Sequence, residues 1–517
     1  MTRPGYVLTV DADTPPLVVF RGGSVRLERL PSGAEVVYPA DAEPALRSLS
    51  AELDRVLSSP EGSEPLDSLL VAGTVLTVVV DDLSQPVTAT SGADVRQRIV
   101  ERVLEMAARA GVDDVRVLAA TGLRRRLTSH ELLSTLGERV FRSFDAGSLT
   151  SHDAEDAEGM TTVGELPDGS PLEIASRLVE SDLVVAVRLA TAVGDEGSPS
   201  IVPSFASAAT ARALTPVPGT DRITAEQRDD ALAPFVDTLG DRTRVFTIAA
   251  TLADAPIKSV SAFLGKRERE WTLLDRVRSR AVRTAAAVLP EAVRPVRFPG
   301  IGHVVTSVRA GAPSAVHASM DAFLRTARLA NRPVGADIAL FGLPDTGYGT
   351  SGAPLDPVSV ATLGLGQVFD GVSAEPVVKR GGVLILSHPL TPTFHPIHHA
   401  GYVDFFADVL RSSTDASVIA EEFEEGFARD DWYRHLYRTS SAHHALHPFH
   451  AWYATAAARD HLSDVIVVGG DRETASRLGF RAATTLDDAL DMAGYRQDGE
   501  TSLTFVHGTP VRPAALA

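Results

Sequence analysis

The segment DVRVLAATGLRRRLTSHELL, residues 114–133, decides the fold class. Its first half is apolar and β-rich and stops at a Thr121-Gly122 turn. Thr128 stands three residues before Glu131, the spacing of a capping box, so the second half opens a helix. Strand, tight turn and capped helix make the joint that recurs in parallel α/β proteins. Between strand and helix lie three consecutive arginines, Arg124, Arg125 and Arg126. Open parallel sheets bind ligands at this edge, beyond the carboxyl ends of their strands. Free N–H groups and the helix dipole favour an anion there, and guanidinium forks pair with carboxylate or phosphate.

The alternation continues along the chain. TVLTVVVDD (74–82), SDLVVAVRLA (181–190), TRVFTIAATL (243–252), GADIALFG (335–342), GGVLILSH (381–388) and SDVIVVGG (463–470) read as strands. GADVRQRIVERVLEMAARAGV (92–112) places Val95, Ile99, Val103 and Leu104 on one helical face. Apolar strands separated by helices predict an α/β fold with parallel or mixed sheets flanked by helices. The 517 residues suffice for two or three domains. A charged helical stretch follows Leu252, and PEAVRPVRFPG (290–300) reads as a connection. The expected division is an N-terminal domain over 1–255, a helical connection over 256–300 and a C-terminal α/β domain over 301–517. A ligand cleft is expected between the domains.

A net charge of −18 argues against non-specific binding to nucleic acid or to anionic membrane. The longest apolar run, LLVAGTVLTVVV, is too short to span a bilayer, and the first residues lack the apolar stretch of a signal peptide. The expected location is the cytoplasm and the expected partner a small-molecule anion. The absence of cysteine excludes disulfides, thiolate metal sites and cysteine nucleophiles. Only three lysines occur, Lys258, Lys266 and Lys379, so residues 1–257 contain none.

Several motifs, taken in order, resemble the nickel-dependent lactate racemase (LarA-like) family. They are VVVDDLSQPVTA (78–89), VRVLAATGLRRRLTSHEL (115–132) and SHDAEDAEGMTTVGELPDGSPLEI (151–174). Weaker matches follow at KRGGVLILSH, HPFHAWY (447–453) and ATTLDDALDMA (483–493). The resemblance implies a two-domain α/β isomerase with its site in the cleft between domains. Such proteins racemise or epimerise 2-hydroxy acids on a lysine-linked nickel-pincer nucleotide, with histidines as acid and base and an arginine on the carboxylate. This chain departs from that pattern where the chemistry sits. Gln85 stands at the arginine of the Asp-x-Thr-Arg-Pro motif, and Arg124 stands where a catalytic histidine is expected. The anchoring segment, here ATAVGDEGSPSIVPSFAS (190–207), has neither lysine nor histidine. A guanidinium, with a pKa above about 12, binds or polarises but does not shuttle protons. A lysine-linked nickel-pincer nucleotide is therefore not expected.

The candidate catalytic set is Asp82, Arg124 and His388, with Ser84, Gln85, Arg125 and Trp452 on the substrate. His388 ends a strand before a Pro-rich loop and is the preferred acid or base. Trp452 matches a family tryptophan near the substrate, with core packing as the alternative. Nine of the fifteen histidines fall between His388 and His450. Among them His395, His398, His399, His443 and His447 are candidate ligands for a divalent metal, although no His-Glu-x-x-His pattern occurs. The alternative is loop histidines that cap, bond carbonyls or stack on aromatics. GYGTSG (347–352) is a lone glycine motif read as a cleft loop, and HDAEDAE (152–158) clusters carboxylates, most simply as a solvated loop. The leading reading is a divergent lactate racemase-like protein that binds or transforms a small carboxylate or a phosphorylated metabolite. A non-catalytic metabolite-binding relative and a metal-dependent enzyme on the C-terminal histidines remain open alternatives.

Overall fold

The opening segment forms the predicted joint. Asp114–Ala120 is a strand that pairs in parallel with Val75–Asp81, Val78 opposite Val117 and Val80 opposite Ala119. Gly122 turns the chain with φ 53°, a left-handed conformation that glycine adopts without Cβ strain. The helix Ser129–Ser143 then starts with both bonds of the capping box between Thr128 and Glu131. The structure, a computed structural model, describes residues 5–38, 44–82, 93–145, 147–190, 199–240, 242–254, 262–288, 303–320, 335–345, 355–369, 375–496 and 500–508.

The first sheet runs Thr238–Leu239, Thr243–Asp254, Leu183–Ala190, Val75–Asp81, Asp114–Ala120, Leu149–Ser151. His303–Gly311 adds antiparallel to Thr243–Asp254. Its central strands are parallel and covered on both faces. Side chains alternate between the two cores: Leu76, Val78 and Val80 pack with the helix Val95–Ala110, and Val79 faces Leu118, Val184 and Ala186. That helix buries Val95, Ile99 and Val103, as its periodicity predicts, and ends at Gly111 in a left-handed cap.

The second sheet runs Tyr6–Thr9, Glu35–Tyr38, Leu503–Val506, Ala336–Gly342, Val378–Ser387, Asp464–Val468, Arg481–Ala483. All its neighbours are parallel except the Tyr6–Thr9 edge. The expected fold class holds. The sheets do not follow the expected division at 255 and 300, however. The first residues supply two strands to the second sheet, and His303–Gly311, expected in the C-terminal domain, extends the first. Periodicity marks a strand locally but says nothing of its long-range partner.

The halves meet beside the arginine triplet. Leu123, Ala154 and Ala208 pack with Tyr437 and Leu446. The Tyr437 hydroxyl accepts from the Ala154 N–H at 3.0 Å and donates to the Gly122 carbonyl at 3.3 Å. The His444 N–H donates to the Leu123 carbonyl at 3.0 Å. Among the described residues, no helix is long and apolar enough to cross a membrane.

Candidate functional site

The three arginines do three different things. Arg124 donates its N–H to the Thr121 carbonyl, which keeps it in the turn at the carboxyl edge of Asp114–Ala120. Its side chain is 40% exposed, with Nη1 3.8 Å from Oδ2 of the buried Asp82. Arg125 is 4% exposed and bonds Glu131 with both terminal nitrogens, at 2.8 and 2.5 Å. The residue expected on the substrate is thus paired within the protein: the carboxylate that caps the helix also takes this fork, because a guanidinium buried there needs an anion. Arg126 lies 3.6 Å from Asp153 and donates to the Arg438 carbonyl at 3.3 Å.

Asp82 is held at the strand end by a residue that the sequence reading passed over. Arg96, fully buried, donates to the carbonyls of Asp81 and Asp82 at 3.0 and 2.5 Å and pairs with Asp94. No local pattern distinguishes Arg96 from the other charges of its helix. Ser84, Gln85 and the GYGTSG motif lie outside the described residues. Two carboxylates of HDAEDAE, Asp153 and Glu155, meet charged groups of the second half, while Glu158 is exposed. Asp153 takes Arg438 at 3.1 Å, and Glu155 takes His444 at 2.8 Å and Arg434 at 3.3 Å.

His388 is 1% exposed, and both ring nitrogens are occupied. Nδ1 accepts the Leu390 N–H at 2.9 Å, which leaves Nε2–H to donate to Asp345 Oδ1 at 3.0 Å. The residue expected as acid or base is thus a buried imidazole bonded to Asp345 and to the Leu390 N–H. Trp452 is 1% exposed, packs in the second core, stacks against Arg459 at 4.6 Å and donates Nε1–H to the Thr414 carbonyl at 3.1 Å. This is the placement that the core-packing alternative describes.

The five candidate metal ligands gather, but as packed rings. His395 stacks on His398 at 3.9 Å, His399 lies 5.6 Å from His443, and His443 lies 4.7 Å from His447. Four of the five turn a nitrogen to another partner. His395 Nδ1 accepts the N–H groups of Ile397 and His398, His398 Nδ1 donates to the Ser441 carbonyl, and His399 Nδ1 lies 3.5 Å from Asp356. His447 Nδ1 shares a 2.7 Å bond with the Tyr402 hydroxyl. Among the described residues, no group of three or more His, Asp or Glu side chains is placed to hold a metal ion. His447 opens the helix His447–Tyr453, and Pro448 fits its first turn.

What the cluster offers is neutral imidazole beside fixed positive charge. Burial holds His443 and His447 well below the ordinary histidine value, and Arg124 adds to this at both. His443 Nδ1 is buried without a hydrogen-bond partner. A guanidinium for an anion and imidazoles that accept but do not carry protons near pH 7 therefore share one side of the seam.

Residues 25–214 match the family described as lactate racemase N-terminal domain. The chain is 30% identical over 134 residues to the lactate racemase of Thermoanaerobacterium thermosaccharolyticum, and 26% identical over 136 residues to that of Lactiplantibacillus plantarum. These alignments span 26% of this chain and only 29% and 30% of the relatives. The structure of the Thermoanaerobacterium lactate racemase apoprotein superposes with a TM-score of 0.60, covering 97% of this chain and 99% of that one at 17% identity. That likeness speaks for the fold alone. The segment expected to anchor a lysine-linked nickel-pincer nucleotide carries no amine for the link. The first 257 positions lack lysine, Lys266 and Lys379 are paired to Asp275 and Asp337, and Lys258 lies outside the described residues.

Proposed function

Because residues 25–214 match the lactate racemase N-terminal domain family, we propose that this chain is LarA-like and binds a small carboxylate of the 2-hydroxy acid type at Arg124, without a lysine-linked cofactor. One observation carries the reading: a 40% exposed guanidinium at the carboxyl edge of the first sheet, flanked by Asp82 and by imidazoles held neutral. The carboxylate pairs with the Arg124 fork, and a hydroxyl on the neighbouring carbon is within the chemistry of Asp82 or of a neutral histidine. Arg124 orients the anion and stays charged, so any proton transfer falls to Asp82 or to an imidazole.

Binding without turnover is the second reading, favoured by a guanidinium standing where the family resemblance implies a histidine. Thermal shift with D- and L-lactate tests the first claim. Wild type should gain melting temperature and Arg124→Ala should not; equal gains in both would place the anion elsewhere. Chiral chromatography after incubation with L-lactate separates the two readings. D-lactate formed by wild type and not by Arg124→Ala means turnover, and a melting shift without D-lactate means binding alone.

A further inference from the structure

A second cleft, of about 1290 Å³, opens at the carboxyl edge of the other sheet. Asp345 follows the strand Ala336–Gly342 there, and Pro389 and Thr391 follow Val378–Ser387. This is the edge at which open parallel sheets bind ligands. Its far walls are the hairpin Leu17–Arg21 and Ser24–Glu28 and the helix Leu273–Val288.

The walls carry five arginines, Arg21, Arg26, Arg29, Arg276 and Arg280, on a chain whose net charge is −18. Arg21 donates to the Gly469 carbonyl at 2.8 Å. Among the described residues, no carboxylate pairs with Arg26, Arg29, Arg276 or Arg280. The carboxylates that line the cleft do little to neutralise them. Glu268 is taken by the Val18 N–H, the Tyr38 hydroxyl and His507, and Asp345 by His388 and the Leu355 N–H. Asp13 completes the acidic lining. Ser279 lines the same cleft, is 1% exposed, and its Oγ has no hydrogen-bond partner among the described residues. A buried hydroxyl without a partner, facing a cleft, points to a ligand that bonds it.

We propose that this cleft binds a small organic ligand bearing two or more phosphate groups, such as a nucleoside diphosphate. Phosphate matches the planar guanidinium fork in two bonds, and arginines spread over hairpin and helix suit more than one anionic group. The volume exceeds what a single carboxylate or phosphate needs and lies above the usual range of about 300–1,000 Å³ for small-molecule pockets. Trp271, Leu27 and Val25 supply an apolar wall for the rest of the ligand.

Isothermal titration of the full-length protein with inorganic pyrophosphate, ADP and citrate tests this. Pyrophosphate and ADP should bind, more weakly as salt rises, and citrate distinctly less well. Arg276→Gln/Arg280→Gln alters two exposed helix positions and should weaken both phosphates about tenfold or more. Arg26→Gln on the hairpin should act in the same direction independently. Arg139→Gln, an exposed arginine on another helix, should change nothing. No binding of either phosphate by wild type, or equal binding by the double variant, overturns the site. Citrate binding as tight as pyrophosphate overturns the phosphate assignment.

Discussion

Arg125→Met distinguishes the two roles open to the middle arginine of the triplet. Burial alone would raise the Glu131 carboxyl, but Arg125 and Thr128 outweigh it and bring it from 4.5 to about 2. That shift corresponds to ~3 kcal/mol at about 1.36 kcal/mol per unit. Thr128 supplies part of it. Glu131 is also 15% exposed, so solvent screens the pair. Roughly half, ~1.5 kcal/mol, falls to Arg125. The single variant additionally leaves the carboxylate facing a thioether, so ~2–3 kcal/mol should be lost, just below the range for breaking a fully buried pair. Urea unfolding at pH 7 of wild type, Arg125→Met, Glu131→Gln and the double variant gives the coupling energy, expected near ~1.5 kcal/mol. Neutral pH is the right condition. The folded carboxyl lies below its unfolded value, so its contribution is complete above about 4.5 and disappears as pH falls towards 2. An Arg125→Met protein as stable as wild type, yet without the lactate-induced melting shift, would refute the structural role and return Arg125 to the ligand.

Two further outcomes follow from buried charge. His152 and His450 are held to about 4 by burial, so between 6.5 and 4 the unfolded chain takes up protons that the folded one does not. Stability should be full above 6.5 and fall steeply as pH drops towards 4; a melting temperature flat from pH 7 to 5 would contradict this burial. Glu424, fully buried, accepts from Arg212 at 2.7 Å and Arg222 at 2.9 Å across the halves and from the Tyr453 hydroxyl at 2.5 Å. Glu424→Gln leaves Arg222 without this anion and Arg212 with Glu425 alone, and should cost ~2–4 kcal/mol in urea unfolding; an unchanged midpoint would show the tie to be idle.

Part of this protein is legible in its residue order. The strand 114–120, the turn at Gly122 and the capping box at Thr128 involve groups within a few residues of each other, so local geometry fixes them. The lack of lysine before position 258 is likewise a property of composition, and no folding restores an amine that is not there. Partner choice is a different matter. His388 looks like a strand-end acid or base until Asp345, forty-three positions earlier, and the Leu390 N–H fill both its nitrogens. Trp452 looks like a substrate contact until Thr414 and Arg459 enclose it. His395, His398 and His447 look like part of a metal set until packing turns their Nδ1 atoms to backbone N–H groups, a carbonyl and a hydroxyl.

The chain by itself determined the strand–turn–helix grammar, the anion-favouring arginines and the missing lysine, because these depend on near neighbours or on composition. The tertiary structure alone decided that Arg125 is sealed against Glu131 while Arg124 stays open beside Asp82. It also placed the first strands in the second sheet and brought distant arginines around one cleft. The physical reason is that a buried polar group must find a partner wherever the fold brings one, and that search runs over space, not along the sequence.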